Sequence, residues 1–88
     1  MSELEEYVEV KRKHGLHVRP ATLFVQMANK FDSSVRLEKN GEIVNGKSII
    51  GLLSLGVNKG VKMKLTVYGE DSREAMDELK NFLEEDND

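Results

Sequence analysis

Hydrophobic and polar positions change period several times along the 88-residue chain, and each change marks an element. Residues 6–12 alternate, with Val8 and Val10 on one side and Tyr7, Glu9 and Lys11 on the other, which predicts a strand with one buried face. From Arg19 the repeat lengthens. Ala21, Phe24, Met27 or Ala28, and Phe31 recur at helical spacing and predict an amphipathic helix over 19–30. Pro20 suits its first turn, where a missing N–H costs nothing. Alternation returns at Val35 and Leu37 against Arg36 and Glu38, followed by Asn40-Gly41. That dipeptide predicts a tight hairpin, because both central positions of a type I′ turn need positive φ. Ile43 and Val44 then form a short returning strand.

The segment KSIIGLLSLG, residues 47–56, is apolar at Ile49, Ile50, Leu52, Leu53 and Leu55. Ser48 as a cap and Gly56 as a stop predict a short helix there, with Gly51 its weak point. Residues 61–68 alternate again, Val61, Met63, Leu65 and Val67 against Lys62, Lys64, Thr66 and Tyr68. Asp71 and Glu74 form a capping-box-like start to a last helix carried by Ala75, Leu79 and Leu83. Every strand has one apolar and one polar face, so helices cover one side of the sheet and water the other, which favours antiparallel pairing. The predicted fold is α+β: an open-faced β-sandwich of order βαββαβα, a four-stranded antiparallel sheet with three helices packed on one face. It is expected to form a single domain over residues 1–88, with no internal repeat or linker.

A chain of this length builds one core and has little room for a deep enzyme cavity. The absence of cysteine excludes disulfides and thiolate metal sites and agrees with a reducing compartment. The start, MSELEEYVEV, is acidic and alternating, unlike a signal peptide. The run SIIGLLSLGV is too short and broken to span a membrane. Cytoplasm, without membrane insertion, is the expected location. A net charge of −3 argues against general nucleic-acid binding. The charge is nevertheless segregated: KRKHGLHVR, residues 11–19, holds four cations and no acid, while the tail EEDND holds four acids.

Both histidines and the only proline fall within HGLHVRPA, residues 14–21. His17 precedes the first turn of a helix, where open N–H groups and the positive end of the helix dipole favour an anion. Arg19 adds a planar fork that grips phosphate oxygens. Gly15 lets the loop turn sharply and leaves the imidazole approachable. Imidazole, with a reference pKa of about 6.5, is a nucleophile near neutrality. These parts make a ring able to accept a phosphoryl group and hold it. No P-loop, acidic pair for Mg²⁺ or base-orienting triad accompanies them, so the chain can carry such a group but not generate one from a nucleotide. Plainer readings stand beside this one. A histidine in a basic loop is ordinarily a solvated side chain, and a charge run a solvated surface. His14 and His17 lack a third ligand for a metal, so neither metal nor cofactor is expected.

The stretch GLHVRPA, residues 15–21, resembles the active-site signature of HPr, the histidine-containing phosphocarrier of the bacterial sugar phosphotransferase system. VNGKSIIGLLSLG, residues 44–56, resembles the same family's regulatory-serine region at the right distance downstream. The resemblance implies a carrier, not an independent enzyme. His17 would take a phosphoryl group on Nδ1 from phospho-enzyme I and pass it to IIA components of sugar permeases, with Arg19 assisting. Ser48 would be the serine modified by an HPr kinase/phosphorylase, whose product acts with a catabolite-control transcription factor. Thr22, Ile49, Ile50 and Leu53 would contribute to a partner-binding surface, and Lys11, Arg12 and Lys13 would steer acidic partners toward His17. A monomer suits a carrier that docks with several partners in turn. His14 stands where the family usually has a small polar residue, and Val18 where it has Ala or Thr. The regulatory paralogue Crh lacks the histidine that His17 supplies here. A mainly regulatory role in a nitrogen-related or catabolite-repression branch, signalling through phosphorylation state without feeding sugar uptake, is the alternative reading, and a plain interaction module is a third.

Overall fold

The computed structural model describes residues 2–86. Its elements follow the predicted order: β1 (Ser2–Glu9), α1 (Val18–Ala28), β2 (Ser34–Lys39), β3 (Glu42–Asn45), α2 (Ile49–Ser54), β4 (Lys62–Gly69) and α3 (Ser72–Glu84). The four strands form one antiparallel sheet in the order β1-β4-β2-β3. The hairpin between β2 and β3 turns through Asn40 and Gly41 at φ 52° and 85°, the positive values a type I′ turn requires. The inward strand residues Val8, Val35, Leu37, Met63, Leu65 and Val67 meet Phe24 and Ala28 of α1, Leu52 of α2, and Met76, Leu79 and Leu83 of α3 in one buried core.

The first strand differs from its predicted range. It starts at Ser2 and ends at Glu9, so Val10, Lys11 and Arg12 belong to the following loop. Glu6 interrupts the apolar side of the alternating start, yet residues Ser2–Glu9 pair with β4 along their whole length, from Ser2 opposite Gly69 to Glu9 opposite Lys62. Glu6, which falls in phase with the inward Val8, is met by α3: Lys80 Nζ lies 2.7 Å and Arg73 3.6 Å from its carboxylate. The Lys80 hydrogen bond above all holds the Glu6 carboxyl below its usual pKa. On the solvent side Lys64 sits 3.5 Å from both Glu5 and Glu38, so charge pairing covers the polar face.

Asp71 does not cap α3 as a capping box would; its side chain makes no bond to the helix start. Its carboxylate instead accepts hydrogen bonds from the Ser33 hydroxyl, the Asp32 N–H at 2.8 Å and the Ser33 N–H at 3.0 Å. This clasp ties the loop after α1 to the loop before α3. The Ser33 hydroxyl, then the backbone donors, hold the Asp71 carboxyl below its ordinary value of 3.8. A carboxyl whose folded pKa is depressed stabilises the fold above its unfolded pKa, and that contribution is lost as pH falls through the folded value. Asp71→Ala is therefore expected to lower the urea midpoint at neutral pH, with the gap to wild type closing in strong acid. An equal gap at both pH values would show that the clasp is not the cause.

Among the described residues no helix is long and apolar enough to cross a membrane. The acidic tail is described as far as Asp86, and Asn87 and Asp88 lie outside the described residues.

Candidate functional site

His17 is the residue on which α1 begins. It takes an extended backbone conformation at the N-cap, φ −84° and ψ −172°, and its side chain makes no capping bond. Its carbonyl accepts the Ala21 N–H at 2.9 Å, so its backbone starts the helix while its ring projects to solvent. Pro20 lies in the first turn and has no N–H, which leaves Val18 and Arg19 as the helix N–H groups without an intrahelical acceptor at this end. No acidic residue occurs in the first turn, so the helix supplies no counter-charge of its own to its positive pole. His17, Arg19, Pro20, Leu23 and His14 line one small cleft. The two imidazoles face each other edge-on, 6.0 Å between centroids and 63° between planes.

The loop before His17 is fixed at several points, each set by a local sequence choice. Arg12 begins a tight turn closed by Gly15 N–H donating to the Arg12 carbonyl at 3.0 Å. Gly15 adopts φ +70°, and a Cβ there would overlap the Val57 carbonyl oxygen, so only glycine fits both the dihedral and the space. Leu16 N–H then donates to that same oxygen at 2.9 Å. Lys11 N–H reaches the Leu83 carbonyl at the end of α3 at 3.0 Å.

Arg12 corrects the expected steering run. It is only 4% exposed. Its guanidinium donates through Nη1 to the Phe82 carbonyl at 2.8 Å and lies over the Phe82 ring, 4.0 Å from the centroid. A cation at the end of a helix adds a donor to its last carbonyls, here one that also accepts the Glu85 N–H at 3.4 Å, and complements the negative pole. Arg12 is thus a structural anchor, whereas Lys11 and Lys13 remain exposed. Nothing in the sequence separated the buried cation from its neighbours except its place in phase with Val8 and Val10.

Ser48 caps α2, its hydroxyl oxygen accepting the Gly51 N–H at 3.0 Å. Gly51, the predicted weak point, lets the helix approach the sheet: a Cβ there would stand 3.3 Å from Cβ of Val44. The apolar residues of this helix divide between two roles. Leu52 and Leu55 are buried and Ile49 packs against the core, while Ile50 is 81% and Leu53 36% exposed. Helix α1 contacts α2 and adds two exposed apolar residues that sequence reasoning missed, Val18 and Leu23. The available signal was their position off the Ala21–Phe24–Ala28 stripe. Thr22 is half-buried, and its hydroxyl donates back to the Val18 carbonyl at 2.8 Å.

A family model described as the phosphorylation site of the PTS HPr component matches residues 4–85. The chain belongs to the HPr family. HPr-like protein Crh of Bacillus subtilis is 49% identical over 83 residues, which cover 94% of this chain and 98% of that protein. The crystal structure of the phosphocarrier protein HPr from Bacillus anthracis superposes with a TM-score of 0.92 at 39% identity, covering 96% of this chain and 100% of that one. A crystal structure of selenomethionyl Crh from Bacillus subtilis, described as a domain-swapped dimer, matches with a TM-score of 0.78 at 51% identity over 91% of this chain and 92% of that one. The monomer expected from the sequence does not accord with that dimeric relative. The HPr-type fold and the membership expected from GLHVRPA and the serine segment are both borne out.

Proposed function

We propose that the chain is a phosphocarrier of the sugar phosphotransferase system, with His17 as the residue that accepts and releases the phosphoryl group. The observation that carries this reading is His17 at the N-cap of α1, in a cleft with Arg19 and with no acid in the first turn. In the step, the Nδ1 lone pair of His17 forms a bond to phosphorus while the bond between phosphorus and the donor breaks, its electron pair returning to the donor. The donor is phospho-enzyme I and the acceptors are IIA components of sugar permeases, in the cytoplasm. The protein is a stoichiometric relay and not an independent catalyst. Arg19 and the Val18 and Arg19 N–H groups hold the phosphoryl oxygens, as helix N-termini hold phosphate generally. Exposed Ile50 and Leu53, with Ile49 and Thr22 beside them, form the docking surface, and Val18 and Leu23 extend it.

A regulatory reading is favoured by a separate observation, the 49% identity to the HPr-like Crh proteins of two bacilli. Ser48 supports it. A phosphate there would sit at the start of α2, where the dipole favours negative charge, and would place that charge beside Ile50 and Leu53. Its modifying enzyme would be an HPr kinase/phosphorylase and its reader a catabolite-control transcription factor. The charging experiment tests the carrier reading: the protein is incubated with enzyme I, Mg²⁺ and phosphoenolpyruvate and its intact mass followed. One acid-labile phosphate is expected. No phosphate, with the same enzyme I charging a control carrier, would refute the carrier reading and leave Ser48 as the functional centre.

A further inference from the structure

We propose that His14 is a second contact to the transferred phosphoryl group, donating a ring N–H to a phosphoryl oxygen once that group is on His17. The inference rests on the phosphocarrier reading of His17. Its geometry comes from three features that converge on one place. His14 is the third residue of the turn that begins at Arg12 and closes at Gly15. The first residue of that turn is pinned by the buried Arg12 guanidinium on the Phe82 carbonyl, and the residue after the last, Leu16, is tied through its N–H to the Val57 carbonyl. The turn therefore presents His14 from a supported backbone. Its ring then stands edge-on to the His17 ring at 6.0 Å between centroids, in the cleft that Arg19 also lines.

A phosphoryl oxygen carried on one ring stands out from it by two bonds, and a hydrogen bond of about 2.8 Å then reaches the other ring at that separation. Imidazole keeps an N–H donor in its neutral as well as its protonated form, so the contact does not depend on charging the ring. The phosphoryl group would be held by the Arg19 fork and the His14 N–H, with the helix N-terminus below it. Hydrogen bonds to an ionised oxygen are the stronger kind. Because the contact exists only in the phosphorylated state, it raises the phosphoryl affinity of the carrier and not merely the rate at which partners dock.

That distinction sets the test. Equal amounts of wild type and His14→Ala are mixed with a limiting supply of phosphoryl groups and catalytic enzyme I, which equilibrates the groups between them. The occupancy of each is read by intact mass. Wild type is expected to hold the phosphoryl group about three- to tenfold more favourably, the fold-change of a net hydrogen bond at an exposed site. His14→Asn, which keeps an N–H donor, is expected to recover part of that difference, and the His14 ring ¹⁵N resonances of wild type to move on phosphorylation. His14 is exposed and outside any helix or strand, so the alanine variant should fold normally. Equal occupancy of wild type and His14→Ala, with unmoved His14 resonances, overturns the inference while leaving His17 as the acceptor. A wild type that takes no phosphate from a donor active on a control carrier overturns both.

Discussion

His17→Ala is expected to take up no phosphoryl group under conditions that charge the wild type completely, while its stability changes by no more than about 0.5 kcal/mol. The two halves of this expectation come from the same geometry. The His17 ring is exposed and makes no capping bond, so the helix does not depend on it. Its backbone carbonyl, which accepts the Ala21 N–H, is retained by alanine. What alanine removes is the nitrogen nucleophile, and neither Arg19 nor the helix N-terminus can form a bond to phosphorus in its place. Intact mass after charging, run beside a urea titration, checks both halves. Phosphate on the variant would move the acceptor elsewhere, with His14 and Ser48 as the residues to map next.

The second large effect is at Gly15. Gly15→Ala is expected to cost about 2–4 kcal/mol, a large share of the roughly 4–13 kcal/mol that holds a domain of this length together. Placing a side chain at φ +70° costs about 1–2 kcal/mol by itself. The added Cβ also overlaps the Val57 carbonyl oxygen, which is backbone and cannot rotate away, and lies 2.8 Å from Cα of Asn58. Relief requires moving the loop and breaking the Leu16–Val57 hydrogen bond, worth about 1 kcal/mol. The displaced loop is the one that delivers His17, so charging should slow by about tenfold or more, because reacting groups lose their alignment. Gly60→Ala is the internal control. Gly60 also has positive φ, at +92°, but open space where a Cβ would go, so only the dihedral cost applies. Equal losses in the two variants, by urea midpoint and charging rate, would show that the Val57 contact plays no part.

The parts of this molecule legible in the sequence are those governed by period and by local turn chemistry. Alternation at Val35 and Leu37 and at Met63, Leu65 and Val67 placed the central strands within a residue or so, and Asn40-Gly41 placed the hairpin. Ser48 was read correctly as the cap of α2. The misreadings share another origin, since each was decided by a partner distant in sequence. The strand over Ser2–Glu9 carries Glu6 on its inward side, which interrupts the local alternation, and it forms because β4 pairs with it and α3 neutralises Glu6. Asp71 has the spacing of a capping box, but Ser33 and Asp32 claim its carboxylate across 38 and 39 residues. Arg12 reads as one more exposed cation until Phe82, 70 residues away, is seen to hold it. For the site, GLHVRPA identified His17 and Arg19 as neighbours at a helix start, and the structure brings them into one cleft. That His14 shares the cleft depends on the turn geometry, which the sequence shows only as a glycine.

The proposed carrier function is tested most directly by the discharge step, because accepting a phosphoryl group is common to a carrier and a signalling protein, whereas passing it on is not. The protein is charged, freed of enzyme I and phosphoenolpyruvate, and mixed with a IIA component that a control HPr is shown to phosphorylate. If His17 is a relay, the phosphate should leave this chain and appear on the IIA protein within the time the control needs. Phosphate that stays on His17 until it hydrolyses, while the control discharges, would contradict the carrier function and favour the regulatory reading.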